Sequence, residues 1–201
     1  MKKNNLNNLL GSYYFYNILK KVMSASSFRT KIVNEIIKKK TNLNILDIGC
    51  GPAEILKSLN YSNYYGFDTN RNYINYAKKT YKKNCHFFCE NFNAKKVKKI
   101  KFDYVILLGL LHHLPNDEIN KLFKEIKKVL KKKGNLLTID NVYIKNQNFI
   151  AKKLIDLDRG KFVRTKKEYL EILKKHFKKV SSNIHIQIFI PYIWFVTKCF
   201  S

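Results

Sequence analysis

Two aspartates, a close pair of glycines and two adjacent histidines are the residues here whose types and spacing could do chemistry. Asp47 lies in the run Ile45-Leu46-Asp47-Ile48-Gly49-Cys50-Gly51-Pro52, where an apolar strand passes through an acid into a G-x-G turn. Such a turn lets backbone approach a ligand closely, because glycine carries no Cβ and tolerates unusual dihedrals. A second strand-like run, Tyr64-Tyr65-Gly66-Phe67, ends in Asp68, whose carboxylate could take both hydroxyls of a ribose. These residues point to a nucleoside-containing cofactor.

Glu54 separates two cofactor classes. A dinucleotide site would want a third glycine at that position to seat a pyrophosphate, and a carboxylate there repels a diphosphate. An acid before the first glycine suits a cofactor carrying an ammonium and a sulfonium. The segment resembles motif I of the class I S-adenosylmethionine-dependent methyltransferases, a strand followed by D-x-G-x-G. Further pieces follow in the family's order: Phe102 to Gly109 with Leu110-Leu111-His112-His113-Leu114-Pro115, then a helix, a lysine run with Gly134, and a strand from Asn135 to Asp140.

The resemblance covers roughly residues 42–140 and implies S-adenosyl-L-methionine as cofactor. It implies that Asp47, Gly49, Cys50 and Gly51 hold the methionine part, Asp68 the ribose, Asn91 and Phe92 the adenine, with Gly109 at the end of the fourth strand. Asn91 stands where the family commonly has Asp, and Ala53 where glycine is frequent. Phe92 and Cys50 also have a plain reading as packing residues.

Methyl transfer needs alignment more than covalent help, but an oxygen or nitrogen nucleophile can need a base. His113, His112 and Asp140 follow strands that end near the methyl group. We expect only one histidine to line the pocket and favour His113. Substrate contacts are expected from Tyr14 and Tyr16 in an N-terminal helical lid segment (residues 1–40), and from Arg159 and Arg164 in a substrate-side insertion (residues 141–165). An arginine kept at a turn of a lysine-biased chain suggests use of its planar fork on a carboxylate or phosphate. A salt bridge from Arg159 to Asp156 or Asp158 is an equal alternative.

The elements that must position these groups alternate. Ile32, Val33, Ile36 and Ile37 form a helical stripe; Asn70 precedes a helix bearing Ile74, Ala77 and Tyr81; Asn116 opens one bearing Ile119, Leu122, Phe123, Ile126, Val129 and Leu130, with Gly134 as its stop. Thr165 to Glu168 is a capping box before Leu170, Leu173 and Phe177. Alternation of this kind predicts an α/β, Rossmann-like, seven-stranded, mostly parallel sheet with helices on both faces. Val180–Ile190 and Ile193–Cys199, joined by a short turn at Pro191, must form a C-terminal antiparallel hairpin. The 201 residues read as one domain.

The net charge of +26 invites a nucleic-acid reading, yet only four of 40 basic residues are arginine (Arg29, Arg71, Arg159, Arg164). Lysines spread over solvent faces, with abundant asparagine and isoleucine, fit codon bias better than a phosphate-reading surface. No apolar run is long enough to span a membrane, and Met1 to Asn5 do not begin a signal peptide, so cytoplasmic residence is expected. Cys85 and Cys89 have no matching second pair, so free thiols are expected and no metal site. The sequence therefore predicts a methyltransferase for a small-molecule acceptor. The alternatives are an RNA methyltransferase and a catalytically silent cofactor-binding scaffold subunit. The acceptor and the oligomeric state are open.

Overall fold

The computed structural model describes residues 25–37, 42–156, 160–186 and 192–200. Seven strands run side by side in the order β3-β2-β1-β4-β5-β8-β7. They are β1 (Asn44–Ile48), β2 (Asn63–Phe67), β3 (Cys85–Phe88), β4 (Phe102–Leu108), β5 (Leu130–Tyr143), β7 (Lys179–Ile186) and β8 (Ile193–Phe200), and a two-residue β6 (Arg164–Thr165) attaches to the end of β5. Pairing from β3 through β5 is parallel, while β8 is antiparallel to both β5 and β7. The Rossmann-like, mostly parallel sheet with its antiparallel hairpin is thus the architecture found.

Both faces are covered, as continuous apolar strands require. On one side Leu46, Ile48, Val105 and Leu107 pack against Ile119, Phe123 and Ile126 of α3 (Asn116–Val129) and Tyr169 and Leu173 of α5 (Lys166–His176). On the other, Ile45, Tyr104 and Ile106 meet Ile32, Val33 and Ile37 of α1 (Ala25–Ile37) and Ile74 and Ala77 of α2 (Arg71–Thr80). The short α4 (Phe149–Asp156) gives Ala151 to the first cluster and Ile155 to the second, so it lies across the carboxyl end of the sheet.

The expected caps hold at Asn70, which accepts from Asn72 N and Tyr73 N, and at Thr165, whose hydroxyl and Glu168 form a reciprocal box. Two expectations are corrected. Pro115 is the cap of α3, and Asn116 turns its side-chain oxygen to Arg164 instead. Gly134 does not stop that helix, which ends at Val129; it sits inside β5, where a Cβ would come 2.8 Å from the Phe102 carbonyl oxygen. β5 also runs three residues beyond Asp140, as far as Tyr143.

Candidate active site

The parallel register sets Asp47 beside Gly66 and Ile106, at the carboxyl ends of β1, β2 and β4, where the strand order reverses. Ligands of open α/β sheets bind at such a switch point. Gly49 and Gly51 take positive φ values of 75° and 55°, and Gly49 N and Cys50 N both donate to the Phe67 carbonyl at 2.8 and 3.0 Å. The turn is therefore hooked onto the end of β2. Asp68 completes the link: Oδ2 accepts from Gly51 N and Oδ1 from Asn70 N, each at 2.8 Å, which leaves further lone pairs on both oxygens. Ala53, where glycine was expected, adopts φ 56°; the chain holds a left-handed alanine there at a cost of roughly 1–2 kcal/mol.

Asp47 is buried, and Tyr64 Oη donates to its Oδ2 at 2.6 Å, while Oδ1 has no hydrogen-bond partner among the described residues. Burial pushes its carboxyl up to about 7, against the opposing pull of the Tyr64 hydroxyl and the Arg29 guanidinium. Arg29 did not figure among the expected site residues. It reaches from α1 across the sheet end, donates Nη1 to the Leu108 carbonyl at 2.9 Å and lies over the Trp194 ring at 5.7 Å. Gly109 makes this possible, since its φ is +75° and a Cβ there would sit 2.5 Å from Arg29 Nη1. Arg29, Asp47, Gly49, Cys50, Gly51 and Glu54 line one compartment of about 120 Å³. Burial raises the Cys50 thiol, which stays protonated.

The second compartment, about 330 Å³, opens between the ends of β1, β2 and β3 and the α3 helix. Asp68, Asn91 and Phe92 line it together with Ile48, Leu110 and Leu114. Phe92 stands edge-on to Phe67, with ring centroids 5.2 Å apart, and so offers an apolar wall. The two compartments share Gly49. All the expected cofactor residues lie along this pair of compartments except Gly109, which acts beneath it by admitting Arg29.

Neither histidine lines either compartment, and the two differ in burial. Leu111–His113 is a single 3-10 turn that turns His112 inward and leaves His113 exposed. His112 Nδ1 lies 2.8 Å from Asp140 Oδ1, which also accepts from His112 N, and both side chains are almost wholly buried. Gly160 closes over the imidazole, where a Cβ would come 2.1 Å from His112 Cδ2, and Phe162 N donates to the His112 carbonyl. Arg164 likewise departs from expectation. Its guanidinium donates to the carbonyls of Leu111, Leu114 and Phe162 and twice to Asn116 Oδ1, so the fork is used up inside the protein, tying the insertion to the loop after β4. Tyr14, Tyr16 and Arg159 lie outside the described residues; Asp156 accepts from Tyr143 Oη and Lys152 Nζ.

Residues 45–134 match the family model described as a methyltransferase domain. The matched segment, a little under half of the chain, is similar to that domain family and carries the strand, glycine turn and Asp68 described above. Solved structures share the fold at low identity. A Nostoc punctiforme protein provisionally assigned as an O-methyltransferase superposes with TM-score 0.70 at 16% identity, over 91% of this chain and 59% of its own. Magnesium protoporphyrin IX methyltransferase from Synechocystis, solved with bound SAH, gives 0.65 at 14% identity over 99% of both chains. The N-methyltransferase NodS from Bradyrhizobium japonicum gives 0.69 at 13% identity, covering 89% of this chain and 97% of its own. The chain thus spans about three fifths of the first of these structures and nearly all of the other two. No curated protein matches it by sequence. No described helix is long and apolar enough to cross a membrane.

Proposed function

We propose that the protein transfers a methyl group from S-adenosylmethionine to a small-molecule acceptor, with Asp47, Arg29 and the glycine turn holding the amino-acid end of the cofactor and Asp68 its ribose. The observation that carries this reading is the unpartnered Oδ1 of buried Asp47 beside the Arg29 guanidinium, a charge pair complementary to an ammonium and a carboxylate on one ligand. A buried carboxylate oxygen without a donor is costly, and an ammonium would satisfy it. Asn91 and Phe92 would border the adenine. When bound, the cofactor supplies a methyl on a sulfonium, already electrophilic. The chain's own work is alignment, exclusion of water by Leu110 and Leu114, and removal of the acceptor's proton. For that last task the structure supports His112 over His113, because Asp140 fixes its ring in one orientation. The acceptors named for the solved relatives include mitomycin and magnesium protoporphyrin IX, both small molecules, which agrees with the small-molecule reading. Calorimetry with S-adenosylhomocysteine and with a nicotinamide dinucleotide tests the cofactor; heat from the dinucleotide alone would overturn the reading.

Two outcomes follow at the cofactor residues. Asp68→Ala removes the ribose acceptor and is expected to weaken S-adenosylhomocysteine binding by about 1.5 to 3 kcal/mol in the same calorimeter; unchanged affinity would refute the ribose role. Asp47 makes binding depend on pH. Its carboxyl must be ionised to meet an ammonium, and it titrates at about 7, so affinity should fall roughly tenfold between pH 8 and pH 6 and level off above. Asp47→Asn should bind weakly with no such slope. The apoprotein carries the opposite trend: the folded state holds this proton more tightly than the unfolded chain, so the contribution of Asp47 to stability falls as pH rises from about 4 to 7.

A further inference from the structure

Six large apolar side chains are exposed among the described residues, and four of them share one end of the molecule. Phe149 (77% exposed) and Ile150 (58%) open α4, Phe162 (39%) follows the loop over His112, and Ile186 (59%) ends β7. Their common location follows from the pairing. β6 joins β5 at Val142 and Tyr143, two residues after Phe162, and Ile186 pairs with Ile193 just beyond the Asn141–Trp194 pair. All four therefore rim the carboxyl edge of β5. Large apolar groups exposed to water along one edge mark a surface that meets an apolar partner.

The polar residues among them are cationic. The described residues between Ile144 and Glu168 include six lysines and one arginine against two carboxylates, Asp156 and Glu168. Both carboxylates are exposed but already paired, the first with Tyr143 and Lys152, the second with the Thr165 cap. Arg164 is consumed by carbonyls, so lysines such as Lys145 and Lys161 dominate the outward field. The aliphatic Ile150 and Ile186 have no stacking use on nucleobases, and the rim offers no outward arginine fork among the described residues, which argues against RNA as occupant. Protruding phenylalanine and isoleucine set among lysines fit the headgroup boundary of an anionic bilayer, where the apolar groups enter the acyl margin and the ammonium groups meet phosphates.

We propose that Phe149, Ile150, Phe162 and Ile186, with the surrounding lysines, dock this edge of the protein onto an anionic membrane surface. The docked orientation turns the carboxyl edge of β5, and with it the side from which an acceptor approaches, toward the lipid. Docking itself does not depend on the transfer reaction proposed above and needs no cofactor.

The test is sedimentation of the full chain with vesicles of phosphatidylcholine alone and of phosphatidylcholine mixed with phosphatidylglycerol. Binding to the mixed vesicles, weakened by salt and nearly absent on the neutral ones, is expected. The double variant Phe149→Ser/Ile150→Ser should lose roughly tenfold or more, and Lys145→Glu or Lys161→Glu about fivefold each, with thermal melting showing each variant folded. These residues lie outside the cofactor compartments, so S-adenosylhomocysteine affinity should not move. If the double serine variant binds mixed vesicles as wild type does, if wild type ignores them, or if an RNA oligonucleotide is bound at salt where vesicles are not, the proposal is wrong.

Discussion

Replacing His112 by alanine is expected to lower turnover on an identified acceptor by roughly 10²- to 10⁴-fold, with cofactor affinity nearly constant. The expectation rests on the 2.8 Å contact between His112 Nδ1 and Asp140 Oδ1, which holds the imidazole in one orientation. Asp140→Asn should reproduce much of the loss, because an amide no longer dictates that tautomer. His113→Ala, which changes an exposed ring, should stay within about threefold of wild type. Full activity in His112→Ala with loss in His113→Ala would reverse the assignment. Activity in all three variants would mean that the enzyme works by alignment alone.

Arg164→Ala should have the largest effect on stability. The guanidinium makes five hydrogen bonds, three of them to main-chain carbonyls of the loop after β4 and of the insertion itself, and it is nearly buried. Its removal leaves carbonyls of Leu111 and Leu114 without this donor, and a loss of about 3 kcal/mol is expected. In a chain of this size that corresponds to roughly 6–12 °C in melting temperature. Arg164→Lys should recover little, since one ammonium cannot span donors placed for a planar fork. A melting point within a degree or so of wild type would show that the clamp is dispensable.

The cofactor half of the site was legible because each of its parts is local: a strand, an acid and a glycine turn are contiguous from Ile45 to Pro52, and Asp68 ends the next strand. Arg29 was not legible as a site residue, because its contact with Leu108 spans 79 positions and depends on α1 crossing the sheet end. The scarcity of arginine was a usable signal, and it was applied to Arg164 in the correct sense that a fork is needed there. What periodicity could not supply is the fork's target, which is three main-chain carbonyls and the Asn116 side chain. The different burial of His112 and His113 was not legible for a related reason. Adjacent residues in a 3-10 turn point to different sides, and only the position of Asp140 on the neighbouring strand decides which side is buried. Asn116 shows the same competition, since a good capping residue was drawn to Arg164 and left Pro115 at the helix start.

The place of β8 between β5 and β7 has a consequence for how the protein is made. Strands β1 to β5 can pair as they leave the ribosome, but the outer edge of β5 from Asn135 to Asn141 finds its partner only in Trp194 to Phe200. During synthesis of the intervening residues that edge, flanked by buried apolar side chains, is open to other chains, and unpaired edges of this kind template aggregation. Chains halted before Ile193 should therefore accumulate as chaperone-bound or insoluble material, whereas chains extended through Phe200 release cleanly, a difference that a ribosome-arrest series of graded length would reveal.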